Sequence, residues 1–424
     1  MTTTETHGTI HAVFRIESPK LIAGIARIVR DVGVAEELAQ DALVLALEKW
    51  PETGVPENPG AWLMATAKNR AIDEVRRRTR TARKHSELGH ELDAAAEASA
   101  PDPDAALDDD LGDDLLKLVF TSCHPILSTE ARVALTLRLL GGLTTSEIAR
   151  AFLVPEATIA QRIVRAKKTL AEANVPFEIP RGEDLSPRLA SVLEVIYLIF
   201  NEGYSATSGE SVTRPDLCED ALRLGRILCG LAPSEPEVHG LTALMEVQAS
   251  RLRARTKENG EPILLLDQDR SKWDGFLIQR GLEALGRAEA LDPDYGFYTL
   301  QAGIAAEHVR ARTPEATNWI RIAERYDMLA RKNPSPVIEL NRAVATSMAH
   351  GPARGLAIVD TIKDDPALQH YHLFPSVRGD FLMKLSRWEE AEREFARAAS
   401  LTRNARERAF LEERVAECRR ARNG

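Results

Sequence analysis

Six side chains between residues 158 and 168 carry the most specific chemistry in this 424-residue sequence: Thr158, Gln161, Arg162, Arg165, Lys167 and Lys168. Gln161 and Arg165 can each offer a two-pronged hydrogen-bonding group to a base edge, a contact worth about 1–3 kcal/mol of discrimination. Arg162, Lys167 and Lys168 suit phosphate oxygens, which position a protein on nucleic acid without reading its sequence. A second set lies upstream, where Trp62, Thr66, Asn69, Arg70, Arg76 and Arg77 share one helical face. From Trp62 to Lys84 there are eight Lys or Arg against two acids, enough for several phosphate contacts and a marked salt dependence. Trp62 offers a flat surface on which an unpaired base can stack; it serves equally well as a core residue. Bond-making chemistry has no comparable signal. There is no phosphate-binding glycine loop, no H-E-x-x-H and no G-x-S-x-G. His370 and His372 form a pair without the further ligands that a metal site needs. We therefore expect no catalytic residue, no metal and no cofactor.

The elements that must hold these side chains are helices. Thr144 and Glu147 are spaced as a capping box that starts a short helix ending near Phe152. After the turn at 153–155, Pro155 suits the first position of a second helix, with Ile159, Ile163, Ala166 and Leu170 on its apolar side. A helix-turn-helix whose second helix is apolar behind and basic or amide-bearing in front fits a major groove. The same pattern also suits an ordinary hairpin with a solvated face. Upstream, Ser18 and Pro19 read as the start of a helix. In Ala35 to Trp50, the residues Leu38, Ala42, Leu43, Ala46 and Trp50 face a core, whereas Glu37, Gln40, Asp41 and Val44 share the other side as a solvated or docking surface. Asn58 and Pro59 open a third helix, with Leu63, Ala67, Ala71, Ile72 and Val75 as its inner row.

Length and charge limit what this module is attached to. The chain is long enough for two to four domains, and its net charge of −9 means that positive charge must be concentrated locally for nucleic acid to bind. Residues 85–114 hold eleven acids, no Lys or Arg, and Pro101 and Pro103, the composition of a flexible, self-repelling linker. Four widely spaced cysteines read as thiols of a reducing compartment. The amino terminus lacks the pattern of a secretion signal, and no apolar run reaches membrane-spanning length, so a cytoplasmic protein is expected.

The segments AEELAQDALVLALEKW and NPGAWLMATAKNRAIDEVRRR together resemble region 2 of an extracytoplasmic-function (ECF) sigma factor, a promoter-specificity subunit of bacterial RNA polymerase, and residues 143–170 resemble its region 4. The resemblance implies an all-α protein with region 2 at 8–84, the acidic linker at 85–110 and region 4 at 111–173. It implies that Glu37, Gln40, Asp41 and Val44 dock on core polymerase. The helix carrying Trp62, Thr66, Asn69, Arg70, Arg76 and Arg77, with the loop before it, would hold the single-stranded minus-ten element. Thr158, Gln161, Arg162, Arg165, Lys167 and Lys168 would contact the minus-thirty-five duplex. Ala160 and Gln161 depart from the residues usual in the family, so the promoter sequence does not carry over.

The remaining chain, 185–424, is a helical extension. It opens on a dense apolar helix from Leu185 to Tyr204, where Gly203 suits a helix end. Tyr197, Asn201, Glu202 and Tyr204 are either residues of that cap or an interdomain contact that pins the extension on a sigma module. Ala323, Ala357 and Ala391 recur at intervals of 34, the period of tetratricopeptide repeats, and 281–402 reads as an α-solenoid of such units. The whole resembles the ECF subgroup with a large helical carboxyl-terminal extension. That implies regulation through the extension, with a soluble partner rather than a membrane-bound antagonist. Two other functions fit parts of the sequence: a helix-turn-helix regulator whose repeats sense a ligand or protein, which needs no polymerase docking face, and a peptide-binding scaffold.

Overall fold

The computed structural model describes residues 3–87, 111–152, 154–204, 214–257, 263–402 and 405–423. No β-strand occurs among them, and none of their helices is long and apolar enough to cross a membrane. The chain divides into two compact units, Met1–Pro233 and Ser234–Gly424.

The first unit begins with three helices, α1 (Thr3–Val29), α2 (Val32–Thr53) and α3 (Pro59–Glu87). Asp31 caps α2 by accepting from the Gly33 and Val34 amides at 2.7 and 3.0 Å. Asn58 caps α3 through the Ala61 amide at 3.0 Å. Small residues let α2 lie close to its neighbours: Ala35, Ala39, Ala42 and Ala46 are buried beside Trp50, whereas Leu38 and Leu43 are only half-buried. On α3, Leu63, Ala67 and Ala71 are buried, but Ile72 and Val75 lie half-exposed at the edge. The expected helix start at Ser18 is not one, because α1 runs through Pro19. Proline cannot donate to the carbonyl four residues back, here that of Arg15, and Gly142 fills the space beside it: a Cβ on Gly142 would lie 2.9 Å from the Arg15 oxygen. The acidic segment at 88–110 lies outside the described residues.

Four helices follow: α4 (Leu111–Ser122), α5 (Thr129–Leu139), α6 (Thr145–Phe152) and α7 (Glu156–Glu172). The capping box forms as expected, since the Glu147 carboxylate accepts from the Thr144 amide at 2.7 Å and the Thr144 hydroxyl accepts from the Glu147 amide at 3.2 Å. Pro155 is the cap of α7 rather than its first helical residue, with an extended backbone at ψ 141°. Ile159, Ile163, Ala166 and Leu170 are all buried.

The compact units do not divide at 185. Helices α8 (Leu185–Tyr204) and α9 (Pro215–Leu231) belong to the first unit, where α8 packs on α4 and α5. A residual cavity of only about 20 Å³ lies among Pro19 of α1, Val119 of α4, Leu140 after α5, Val192 and Ile196 of α8, and Leu228 of α9, so these helices share one core. Gly203 is required by close approach: a Cβ there would sit 2.7 Å from the Cys218 amide nitrogen of α9.

The second unit comprises α10 (Pro236–Ala249), α11 (Gly275–Leu291), α12 (Phe297–Arg310), α13 (Trp319–Lys332), α14 (Pro336–His350), α15 (Pro352–Thr361), α16 (Leu373–Lys384), α17 (Trp388–Leu401) and α18 (Ala405–Asn423). Most pack chiefly on their neighbours in sequence, the pattern of a helical solenoid. Ala323 and Ala391 are buried as a repeat demands, but Ala357 is exposed. Gly355 takes the inner position of α15, where its α-carbon lies so close to α14 that a Cβ would be 2.8 Å from the Ala343 carbonyl oxygen. Uneven connections thus break the spacing of 34. His308, at the end of α12, is buried with its ring edge against Trp319 at 5.3 Å. Burial and the neighbouring Arg251 and Arg270 push its pKa down to about 4.

Candidate nucleic-acid interface

Two surfaces of the first unit carry the side chains singled out in the sequence. On α7, Gln161, Arg165 and Lys168 are exposed along one face, backed by the buried Ile159–Ile163–Ala166–Leu170 row. Thr158 is half-buried beside them. Arg162 is half-buried at the edge of a cavity of about 190 Å³, which it lines with Glu130 of α5 and Leu198 and Glu202 of α8. Lys167 points elsewhere, into an ion pair with Glu36 of α2. The structure therefore groups Gln161, Arg165 and Lys168 and separates Lys167 from them.

On α3, Asn69, Arg76 and Arg77 are exposed, and Arg78 and Arg80 extend the basic face. Arg77 and Arg78 share Glu74 at 2.7 and 2.8 Å, which leaves the local charge positive. The Thr66 hydroxyl donates to its own helix at the Trp62 carbonyl, 2.9 Å away. Trp62 is half-buried, meeting the core Trp50 edge to face at 5.2 Å, so one part of the ring packs and another remains open. Beside this helix a groove of about 730 Å³ runs between α1 and the start of α3. Val13, Ile16 and Met64 give it apolar walls; Lys20, Asn58 and Lys68 give it polar ones. Its α1 side carried no signal in the sequence, because the contribution of α1 depends on how the three helices cross.

The acidic face of α2 is adjacent. Glu37, Asp41 and Val44 are exposed, Val44 by 53%. Asp41 pairs with Arg70 of α3 at 2.6 Å, and Gln40 donates to the Glu36 carboxylate at 2.7 Å. Two of the residues on this face are thus engaged by neighbours of their own chain.

The motif at the end of α8 links elements within the unit. Glu202 is buried and pairs with Arg214, whose guanidinium also donates to the Ala151 carbonyl of α6. Tyr204 stacks on Phe200 at 5.6 Å, and Asn201 hydrogen-bonds the half-buried Tyr197. Further contacts tie the same helices down. Arg132 of α5 donates to Ser191 and reaches Glu194 at 3.1 Å. Arg15 of α1 meets Asp220 of α9 at 3.2 Å, and Arg223, one turn on, donates to the Gly141 carbonyl at 2.8 Å. Burial pushes the Asp220 carboxyl up although Arg15 and Arg223 face it. Among the described residues no cluster of three His, Cys, Asp or Glu side chains is placed to hold a metal.

Residues 13–81 match the family described as Sigma-70 region 2, and residues 118–170 match Sigma-70, region 4. Residues 188–289 match a family of unknown function, DUF6596. An uncharacterized protein of Rhizobium meliloti (strain 1021) is 44% identical over 394 residues, 93% of this chain and 92% of the relative. The ECF RNA polymerase sigma factor SigK of Mycobacterium ulcerans (strain Agy99) is 30% identical over 151 residues, 34% of this chain and 75% of the relative. SigK of Mycobacterium sp. (strain KMS) is 30% identical over 143 residues, 33% of this chain and 69% of the relative.

Proposed function

Because the chain belongs to the extracytoplasmic-function sigma factors of RNA polymerase, we propose that its two basic surfaces hold the two ends of a promoter while the exposed face of α2 docks on core polymerase. A protein with sigma regions 2 and 4 directs promoter-specific transcription. In this assignment Glu37, Gln40, Asp41 and Val44 meet the polymerase. Asn69, Arg76 and Arg77 track the backbone of the melted strand, and the α1–α3 groove receives an unstacked base, with Trp62 at hand for stacking. Gln161 and Arg165 read base edges of the upstream duplex and Lys168 contacts phosphate. The polymerase supplies the catalysis, and the protein works in the cytoplasm.

The observation that carries this reading is the exposed Gln161–Arg165–Lys168 row on the second helix of a capped helix-turn-helix, in the same compact unit as the cationic face of α3. Purified protein mixed with core polymerase should form a stoichiometric complex and start RNA synthesis from some member of a promoter library. A protein that binds duplex DNA without engaging core would instead be a conventional helix-turn-helix regulator.

The extension has a regulatory role in this proposal. The contacts of α9 with Arg15 and Gly141, and of Arg214 with Ala151, support it, since they set how α1, α5 and α6 lie together. The solenoid from α10 onward is the part suited to a soluble partner. Transcription by the full chain should differ from that by a chain ended after Pro233 and from that by an Arg214→Gln, Asp220→Asn chain, which loses contacts of α9; equal activity of all three, with and without cell extract, would remove the regulatory role.

A further inference from the structure

The buried row of α7 takes Ile159, Ile163 and Leu170, yet another β-branched residue of the same helix points the other way: Val164 is 64% exposed. It stands one helical turn from Gln161 and Lys168 and next to Arg165, the exposed polar residues of that face. Ala160, one turn back, is also exposed and is too short to overhang the isopropyl group. Folding does not account for a valine here. Its side chain lies mostly in water, and valine holds a helix less well than alanine does.

The surroundings decide what would cover it. A protein partner is held by a contiguous apolar patch around large anchors, whereas Val164 is flanked by an amide, a guanidinium and an ammonium group. Arg165 and Lys168 favour a polyanion. The Glu172 carboxylate meets Lys168 at 3.5 Å, but this is an exposed pair of the weak kind, which a phosphate displaces at little cost. In the major groove of duplex DNA the apolar group on display is the C5 methyl of thymine, set beside hydrogen-bonding base edges. A branched apolar side chain between Gln161 and Arg165 presents the complementary mixture.

We propose that Val164 determines specificity on the duplex-reading helix, its isopropyl group packing on the C5 methyl of a thymine close to the base that Gln161 reads. A helical turn rises about 5.4 Å and base pairs lie about 3.4 Å apart, so that thymine falls within about two base-pair steps of the Gln161 contact. The inference rests on the assignment of α7 to duplex recognition made above.

The test uses duplexes selected from a random-sequence pool by the full-length protein, alone or bound to core polymerase. Each thymine is then replaced in turn by deoxyuridine, which removes the methyl group and keeps the base pairing. One replacement should weaken binding about three- to fourfold, the value of one methyl group taken out of water. Val164→Ala should bind the selected duplex more weakly by a similar factor. It should also become indifferent to deoxyuridine at that position, while still responding to substitution of the pair that Gln161 reads. Alanine is the better helix former, so the variant keeps its fold; Val164→Ser should behave alike. No thymine whose methyl group matters, or an equal deoxyuridine response in the native and Val164→Ala chains, would overturn the methyl contact while leaving α7 a duplex reader. A Val164→Ala chain that selects duplexes as before and loses affinity for core polymerase would overturn it in favour of a protein contact. A chain that selects no sequence in either form would overturn it together with the assignment of α7.

Discussion

Gln161, Arg165 and Lys168 are neighbours on one helix face, but the proposed division of labour makes them differ in kind. Arg165→Ala or Gln161→Ala should cost about 1–3 kcal/mol at one base pair and relax preference there, read as binding to a set of single-substituted duplexes. Lys168→Ala should weaken all duplexes alike and lower the slope of log affinity against log salt by about 1. Equal effects of the two kinds of substitution would contradict the division. His308 gives a separate, pH-dependent prediction in the second unit. Its folded pKa of about 4 lies below the unfolded value near 6.5, so the unfolded state binds the proton first. Stability from neutral His308 is therefore complete above about pH 6.5 and falls as pH drops toward 4, by up to about 3 kcal/mol. Denaturation midpoints across that window should fall with pH, and His308→Asn should flatten the decline. The acidic and amide residues of α2 were legible as a face because amphipathic spacing is local; Glu36 was not separable from Glu37. Its carboxylate is buried against Arg138 of α5, about one hundred positions away in the chain, and no periodicity carries that information.

Elements with their own stop and start signals were the most legible. The Thr144–Glu147 box, the Asn58 cap and the buried row of α7 are formed by residues within a few positions of one another, so sequence spacing is almost the same as spatial spacing. Pro19 misled because a proline that would end an isolated helix is tolerated where the freed carbonyl of Arg15 faces Gly142. Gly142 sits at φ +68° with no room for a methyl group. Gly142→Ala should destabilise the first unit by about 1–3 kcal/mol in urea denaturation. The repeat period misled for a different reason. Gly355 replaces an alanine at the inner position of α15, and an irregular connection shifts the register, so Ala357 matched only in number. Helix α8 was legible as a helix but not as a member of the first unit, and α9 carried no separate signal within the extension. A chain ended after Ala173 should expose the surface they cover, bind hydrophobic dyes and melt without a sharp transition, whereas one ended after Pro233 should unfold cooperatively. Two similar melting curves would show that α8 and α9 add nothing to that core.

For the whole molecule, an overall charge of −9 beside cationic faces on α3 and α7 means that attraction to nucleic acid is short-ranged and easily screened. Binding to promoter DNA should accordingly fall steeply between 50 and 200 mM salt, by about 10³-fold or more if six phosphates are engaged. The same separation of parts predicts that residues 234–424, expressed alone, form a stable helical protein with its own cooperative unfolding, because the stacked cores around Leu300 and Phe395 lie inside it. The stretch at 188–289 behaves otherwise. Its first two helices complete one hydrophobic interior and its last two begin another. What is inherited together along the chain is thus a seam, and transplanting it by itself would carry two unfinished halves, each lacking the counterpart against which its apolar side was shaped.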